Sequence, residues 1–193
     1  LIFIDLPASM NRNTYLSRLA ALAGGLALTL TPWTLAGASS PTAPAPAVNP
    51  TASVSAPSQS LATHLVLVLG ERKVYAYQND KVIASYPVAV GKKGWETPTG
   101  NFQVIQMTEN PIWENPWNGK KVPASLNGPI GIRWIGFWSD GKNTIGFHGT
   151  PKKQEHLLGK AVSHGCVRMR NPDVVALFQL VQPGTPVIVK QKK

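Results

Sequence analysis

From Leu65 to Lys190 the apolar residues of this chain come in short runs, rich in Val, Ile and aromatics and closed by Gly, Pro, Asn or Asp. Runs of that length and composition suit strands, not long helices. Leu65-Val66-Leu67-Val68-Leu69 reads as a strand, Gly70-Glu71-Arg72 as a turn, and Lys73 to Tyr77 as a second strand. Asn79-Asp80 then predicts a hairpin into a strand from Val82 to Val90. Asn101 to Met107 alternates like one strand, Thr144 to Phe147 forms another, and Pro186 to Lys190 closes the chain as the last. One helix is signalled. Asn171 suits the N-cap, Pro172 the first helical position and Asp173 the positive end of the dipole, with Pro183-Gly184 as the stop. The expected fold is mainly β, a mixed sandwich or barrel-like domain with one or two short helices.

The first sixty residues differ in kind. Leu1 to Ser9 precede Met10 and receive no role. Met10 to Ala38 runs from Arg12 and Arg18 through an apolar stretch to Ala36-Gly37-Ala38, the order of a cleavable secretory signal peptide. An uncleaved membrane anchor is the competing reading, weakened by Gly24-Gly25 and Pro32. Ser39 to Ser60 is Ala, Pro, Ser and Thr without charge, which cannot bury enough surface to offset ordering entropy and reads as a linker. Residues 61–193 are then the folded domain, expected to be monomeric. Export to the periplasm or cell wall follows from the signal pattern. The chain carries a net charge of +10. Seventeen basic against eight acidic side chains remain after residue 60, a balance that favours an anionic partner such as a cell-wall polymer. No helix-turn-helix, zinc or RNP-like pattern supports nucleic acid as that partner.

The chemistry concentrates in Ser163-His164-Gly165-Cys166-Val167-Arg168, which holds the only cysteine. That thiol has no disulfide partner. His148 lies upstream in Phe147-His148-Gly149-Thr150, so two imidazoles compete to be the base of a nucleophilic thiol. Backbone N–H groups around Gly165 and Cys166 are candidate oxyanion donors. A zinc site from His148, His156, His164 and Cys166 is the rival reading, but His-x-Cys is not a familiar zinc pair. His64, His156 and Lys152-Lys153 read as solvated surface. Met107 to Asn143 shows little periodicity and contains Trp113, Trp117, Trp134 and Trp138, which suggests an irregular lid or binding wall. The alternative is that these tryptophans fill the core.

Fourteen residues separate His148 from Ser163, and Ser-His-Gly-Cys with an apolar Val167 follows. This arrangement resembles the signature of the L,D-transpeptidase catalytic domain (the YkuD-like fold). The Tyr86-Pro87-Val88 strand, Gly91-Lys92 and the Thr97-to-Phe102 turn add weaker likeness. The resemblance implies Cys166 as nucleophile, His148 as general base and the Gly149 carbonyl as orienter of the imidazole. It implies that His164 and Gly165 shape the oxyanion turn, that Ser163 holds that turn by hydrogen bonds and that Arg168 contacts a substrate carboxylate. Ser163, Arg168 and, from the tryptophan-rich segment, Trp134 are the expected substrate-binding residues. The resemblance further implies peptidoglycan stem peptides as substrate, a thioester intermediate, 3→3 cross-links, a part in cell-wall biogenesis and cell shape, acylation by carbapenem-type β-lactams, and no metal or organic cofactor. L,D-carboxypeptidase or lipoprotein-attaching activity through the same thioester, or a non-catalytic wall-binding module, are the alternatives.

Overall fold

A computed structural model of the chain describes residues 3–5 and 61–192. The expected signal peptide (10–38) with its membrane-anchor alternative and the linker (39–60) lie outside the described residues.

The strands are β1 (Phe3–Asp5), β2 (His64–Val68), β3 (Lys73–Gln78), β4 (Lys81–Pro87), β5 (Val90–Gly91), β6 (Gly100–Gln103) and β7 (Gln106–Glu109). They continue as β8 (Ile112–Glu114), β9 (Lys121–Val122), β10 (Arg133–Ser139), β11 (Thr144–Thr150), β12 (Ala161–Ser163), β13 (Val167–Arg170) and β14 (Pro186–Lys190). A 3-10 helix spans Lys152–Leu157, and the one α-helix among the described residues, α1, spans Asn171–Leu180. The fold is mainly β, as the sequence implies.

One sheet has the order β4-β3-β2-β14-β6 and a second the order β13-β11-β10-β7. The apolar core draws from both. Leu65, Leu67, Val74, Ala76, Val187 and Val189 come from the first, and Ile135, Phe137, Phe147, Val167 and Met169 come from the second. Val174 and Leu177 of α1 join them. Central β2 is buried on both faces, which explains why its sequence is a continuous apolar run instead of an alternating one. β3 and β14 alternate, with Val74 and Ala76, Val187 and Val189 turned inward. The hairpin turn between β3 and β4 puts Asn79 at φ 53°, a left-handed conformation that asparagine tolerates better than most residues.

Four expectations change. Val82 to Val90 does not run as one strand. β4 ends at Pro87, Ala89 bridges to Arg168, and β5 pairs in parallel with β12. Asn101 to Met107 divides at Val104-Ile105, so that β6 joins the first sheet and β7 the second. The 107–143 segment is not wholly irregular: it contains β10, a seven-residue strand between β11 and β7. Residues 3–5, given no role, pair antiparallel with β8 in a small β1-β8-β9 sheet.

Candidate active site

Strands β11 and β13 are parallel neighbours. Phe147 pairs with Val167, His148 with Arg168, Gly149 with Met169 and Thr150 with Arg170, a constant offset of 20 residues. Parallel strands need a crossover of a dozen residues or more, and residues 151–166 supply it. The spacing between His148 and the Ser-His-Gly-Cys run is therefore the length of one crossover. It returns the chain so that Cys166 sits at the mouth of β13, beside the strand that carries His148.

Side chains alternate across a strand. Phe147, Val167 and Ile135 occupy the core face, so their neighbours His148, Arg168 and Trp134 share the opposite face. Cys166, one residue before Val167, takes the same side. His148, Cys166 and Arg168 line one pocket of about 270 Å³ with Ser163, His164, Trp95, Trp113, Trp117, Pro116, Pro129 and Ile130.

The His148 ring is buried, and its Nδ1 lies 2.7 Å from the Gly149 carbonyl oxygen. A carbonyl only accepts, so Nδ1 carries the proton and Nε2 is left as the basic nitrogen. Burial pulls the imidazole pKa down to about 4, the Gly149 bond partly opposes this, and the Arg168 charge adds to the lowering. The Cys166 thiol is also buried, and desolvation pushes it up to about 11 against smaller opposing effects of the Gly146 backbone and Arg168. Both shifts disfavour the charged forms, so the resting pair is neutral thiol and neutral imidazole.

The turn before Cys166 is held by hydroxyls. Ser163 Oγ donates to the Cys166 carbonyl at 2.5 Å and receives the Gly165 N–H at 3.2 Å. Gly165 adopts φ +109°, which side chains resist. Because its N–H is engaged by Ser163, Gly165 is not an open oxyanion donor, contrary to the sequence-based expectation. Thr97 Oγ1 donates to the Gly165 carbonyl at 2.7 Å and accepts the Gly91 N–H at 3.0 Å. Thr97 is buried, and sequence reasoning saw only a turn there.

His164 points outward and packs edge-on against Trp95 and Trp117, with ring centroids 4.9 and 6.1 Å away. Its pKa is lowered, first by partial burial and then by the nearby Lys92 charge. Arg168 is half-buried, and its only side-chain hydrogen bond among the described residues is to Gln154 at 3.4 Å. Trp134 corrects the expectation made for it. It is fully buried, donates Nε1–H to Gln106 Oε1 at 3.2 Å and stacks at 6.1 Å on His148. It supports the imidazole from behind and does not line the pocket. Trp113 and Trp117 do line it, as does Trp95, which sequence reasoning passed over because it lies outside the tryptophan-rich segment. His156 is exposed on the 3-10 helix, and no three His, Cys, Asp or Glu side chains converge on a metal-binding geometry among the described residues.

Residues 62–189 match the family model YkuD, the L,D-transpeptidase catalytic domain. A Bacillus subtilis relative named as an L,D-transpeptidase, YqjB, is 42% identical over 116 residues, which is 58% of this chain and 61% of that protein. A second from Bacillus subtilis, YkuD, is 35% identical over 128 residues, 66% of each chain. Escherichia coli YcfS, also named as an L,D-transpeptidase, is 31% identical across 64% of this chain and 42% of its own length. The chain thus spans less than two thirds of each of these relatives. Among solved structures, the Ldtfm-avibactam carbamoyl enzyme superposes with a TM-score of 0.54 at 26% identity, covering 66% of this chain and 48% of its own. The NMR structure of the catalytic domain from the Enterococcus faecium L,D-transpeptidase gives a TM-score of 0.52 at 24% identity, over 68% and 98% of the two chains, and shows the shared fold. With a family match that covers most of the described domain, on a fold shared with solved members, this chain belongs to the L,D-transpeptidase catalytic domain family.

Proposed function

We propose that this domain is a peptidoglycan L,D-transpeptidase that works through a thioester on Cys166. The observation that carries the reading is that β11 sets His148 beside Cys166, which leads into the parallel neighbour β13, with both lining one pocket and His148 Nδ1 tied to a backbone carbonyl. Nε2 is thereby presented as the base, and the Gly149 carbonyl does the orienting that a carboxylate does in a serine triad.

The substrate is a stem peptide ending in D-alanine. Cys166 Sγ attacks the carbonyl at the L-centre of the third residue while its proton passes to His148 Nε2. Because burial keeps both groups neutral at rest, proton transfer accompanies attack, and no standing thiolate is required. The Cys166 N–H takes the role of donor to the developing oxyanion, since the Gly165 N–H is engaged by Ser163. The tetrahedral intermediate collapses with C–N cleavage, and His148 returns its proton to the departing D-alanine amine. A side-chain amine of a neighbouring stem then attacks the thioester and forms the 3→3 cross-link, releasing the thiol. Arg168, half-buried at the pocket with no carboxylate partner among the described residues, suits the carboxylate of the leaving D-alanine. Trp95, Trp113 and Trp117 wall the pocket, and the positive chain suits an anionic envelope. An exported enzyme of the periplasm or wall is the setting that fits this substrate.

Purified protein incubated with tetrapeptide muropeptides, with the products resolved by mass spectrometry, tests the reading. The expected result is an acyl-enzyme mass, free D-alanine and 3→3 dimers, all absent in Cys166→Ala. D-Alanine release that persists in Cys166→Ala overturns the nucleophile. Release without dimers makes water the acceptor, as in an L,D-carboxypeptidase. Neither acyl-enzyme nor product leaves a wall-binding module.

A further inference from the structure

Asn171 opens α1, yet its side chain does not cap the helix. The N-cap position belongs to Arg170, with no side-chain cap bond. Instead, Asn171 Nδ2 donates to the carbonyls of Leu126 and Thr150, each at 3.0 Å. Both partners are acceptors, so the carboxamide has only one workable orientation. Its Oδ1 faces the other way, buried and without a hydrogen-bond partner. That oxygen lies against two glycines: a Cβ on Gly149 would come within 2.1 Å of it, and one on Gly131 within 2.2 Å. The Cα–H groups of Gly131 and Gly149 are therefore its neighbours, a weak form of hydrogen bonding.

One side chain thus meets three pieces of the site. Gly149 supplies the carbonyl that holds His148 Nδ1. Leu126 and Gly131 bracket the segment whose Pro129 and Ile130 line the pocket. Asn171 itself directly follows β13, the strand that begins after Cys166. The Gly149–Thr150 peptide is flanked on both sides: Oδ1 packs against the Gly149 Cα before it, and Nδ2 holds the carbonyl of Thr150, in the next peptide. Turning that unit would release His148 Nδ1, and Asn171 blocks the turn.

We infer that Asn171 is a positioning residue of the active site, whose carboxamide holds the Gly149 carbonyl on His148 and clamps the 126–131 segment that walls the pocket. The inference rests on the proposed role of His148 as base. Two variants of the full chain test it. Asn171→Asp keeps the shape but turns an oxygen towards the two carbonyls. Asn171→Ser suits a helix start but is too short to reach both. Ring 15N shifts of His148 report its tautomer, and D-alanine release from a tetrapeptide reports kcat and KM.

In the wild type, His148 should carry its proton on Nδ1, and the two Asn171 Nδ2 protons should exchange slowly as separate resonances. In the variants, the Nδ1–H form should give way to a tautomer mixture and kcat should fall about 100-fold, the cost of misplacing a catalytic group by about 1 Å. KM should rise as the segment loosens. A folded variant that keeps the Nδ1–H tautomer with kcat within about threefold of wild type, well short of that 100-fold loss, overturns the inference. Fast-exchanging Asn171 amide protons in the wild type overturn it without any variant. If the wild type releases no D-alanine while the variants still shift the tautomer, the stem-peptide reading fails and the positioning role stands.

Discussion

Replacing Thr97 with valine removes one hydroxyl and keeps the side chain's shape. That hydroxyl donates to the Gly165 carbonyl at 2.7 Å and accepts the Gly91 N–H at 3.0 Å, in a side chain only 3% exposed. The two stranded partners do not cost the same. Gly165 is buried, so its carbonyl loses a partner that water cannot replace, at about 1–3 kcal/mol. Gly91 is half-buried, and its N–H recovers part of the loss from solvent. The added methyl returns about 0.8 kcal/mol or less. The net is a loss of about 2 kcal/mol, which for a domain of this size lowers Tm by roughly 6–10 °C. Because the same bond anchors the residue before Cys166, acylation should slow as well. Thr97→Ser keeps the hydroxyl and drops only a methyl, so its stability should lie between those of valine and wild type. Urea and thermal denaturation of the three proteins, with the acyl-enzyme rate followed by mass spectrometry, give the comparison. A Thr97→Val protein at least as stable as Thr97→Ser, with unchanged acylation, would refute the hydroxyl's role.

Two further outcomes follow from the same geometry. The His148 pKa drops from 6.5 to about 4 on folding, chiefly through burial. Below about 6.5 the unfolded chain takes up a proton that the folded chain refuses until about 4, so stability is full above this window. It falls with decreasing pH by up to about 1.4 kcal/mol per unit within the window. His148→Gln should flatten that portion of a pH series of urea unfolding curves, and identical slopes would contradict the buried neutral imidazole. Trp134 and Trp117 should separate a buried support from an exposed wall. Trp134→Ala empties a fully buried site and should cost about 3–5 kcal/mol. Trp117, 73% exposed, should change stability by less than about 0.5 kcal/mol when cut to alanine, while raising KM for the stem peptide. Denaturation and D-alanine release measured on both variants check this, and equal losses of stability would contradict the assignment.

How much of this was legible beforehand varied by element. β2, β3 and β14 follow directly from apolar runs of strand length, because each is closed by local turn residues and needs no distant partner to be recognised. β10 was not legible. Its Trp134, Gly136 and Trp138 sit among prolines and glycines in a stretch without clear period, and the strand exists because β11 and β7 pair on either side. The Asn101-to-Met107 alternation is real, but alternation cannot say that the chain changes sheets at Val104-Ile105. Asn171 was misread for a related reason. An asparagine before Pro172 suits a helix cap by local rules, yet two carbonyls brought in by the fold, Leu126 and Thr150, outbid the helix for its amide.

The site divides along the same line. From sequence alone came the lone thiol, the glycine before it, two candidate imidazoles and the spacer of 14 residues between His148 and Ser163, since all of these are matters of residue type and count. Which imidazole shares a pocket face with the thiol while bound to a carbonyl was a matter of strand pairing. The 20-residue parallel offset between β11 and β13 turns His148, Cys166 and Arg168 to one side and sends Phe147 and Val167 into the core. Burial then sets the electrostatics, because the same packing that excludes water from Cys166 and His148 holds both neutral until a substrate arrives. Residue spacing permits this arrangement; the register and packing of distant strands select it.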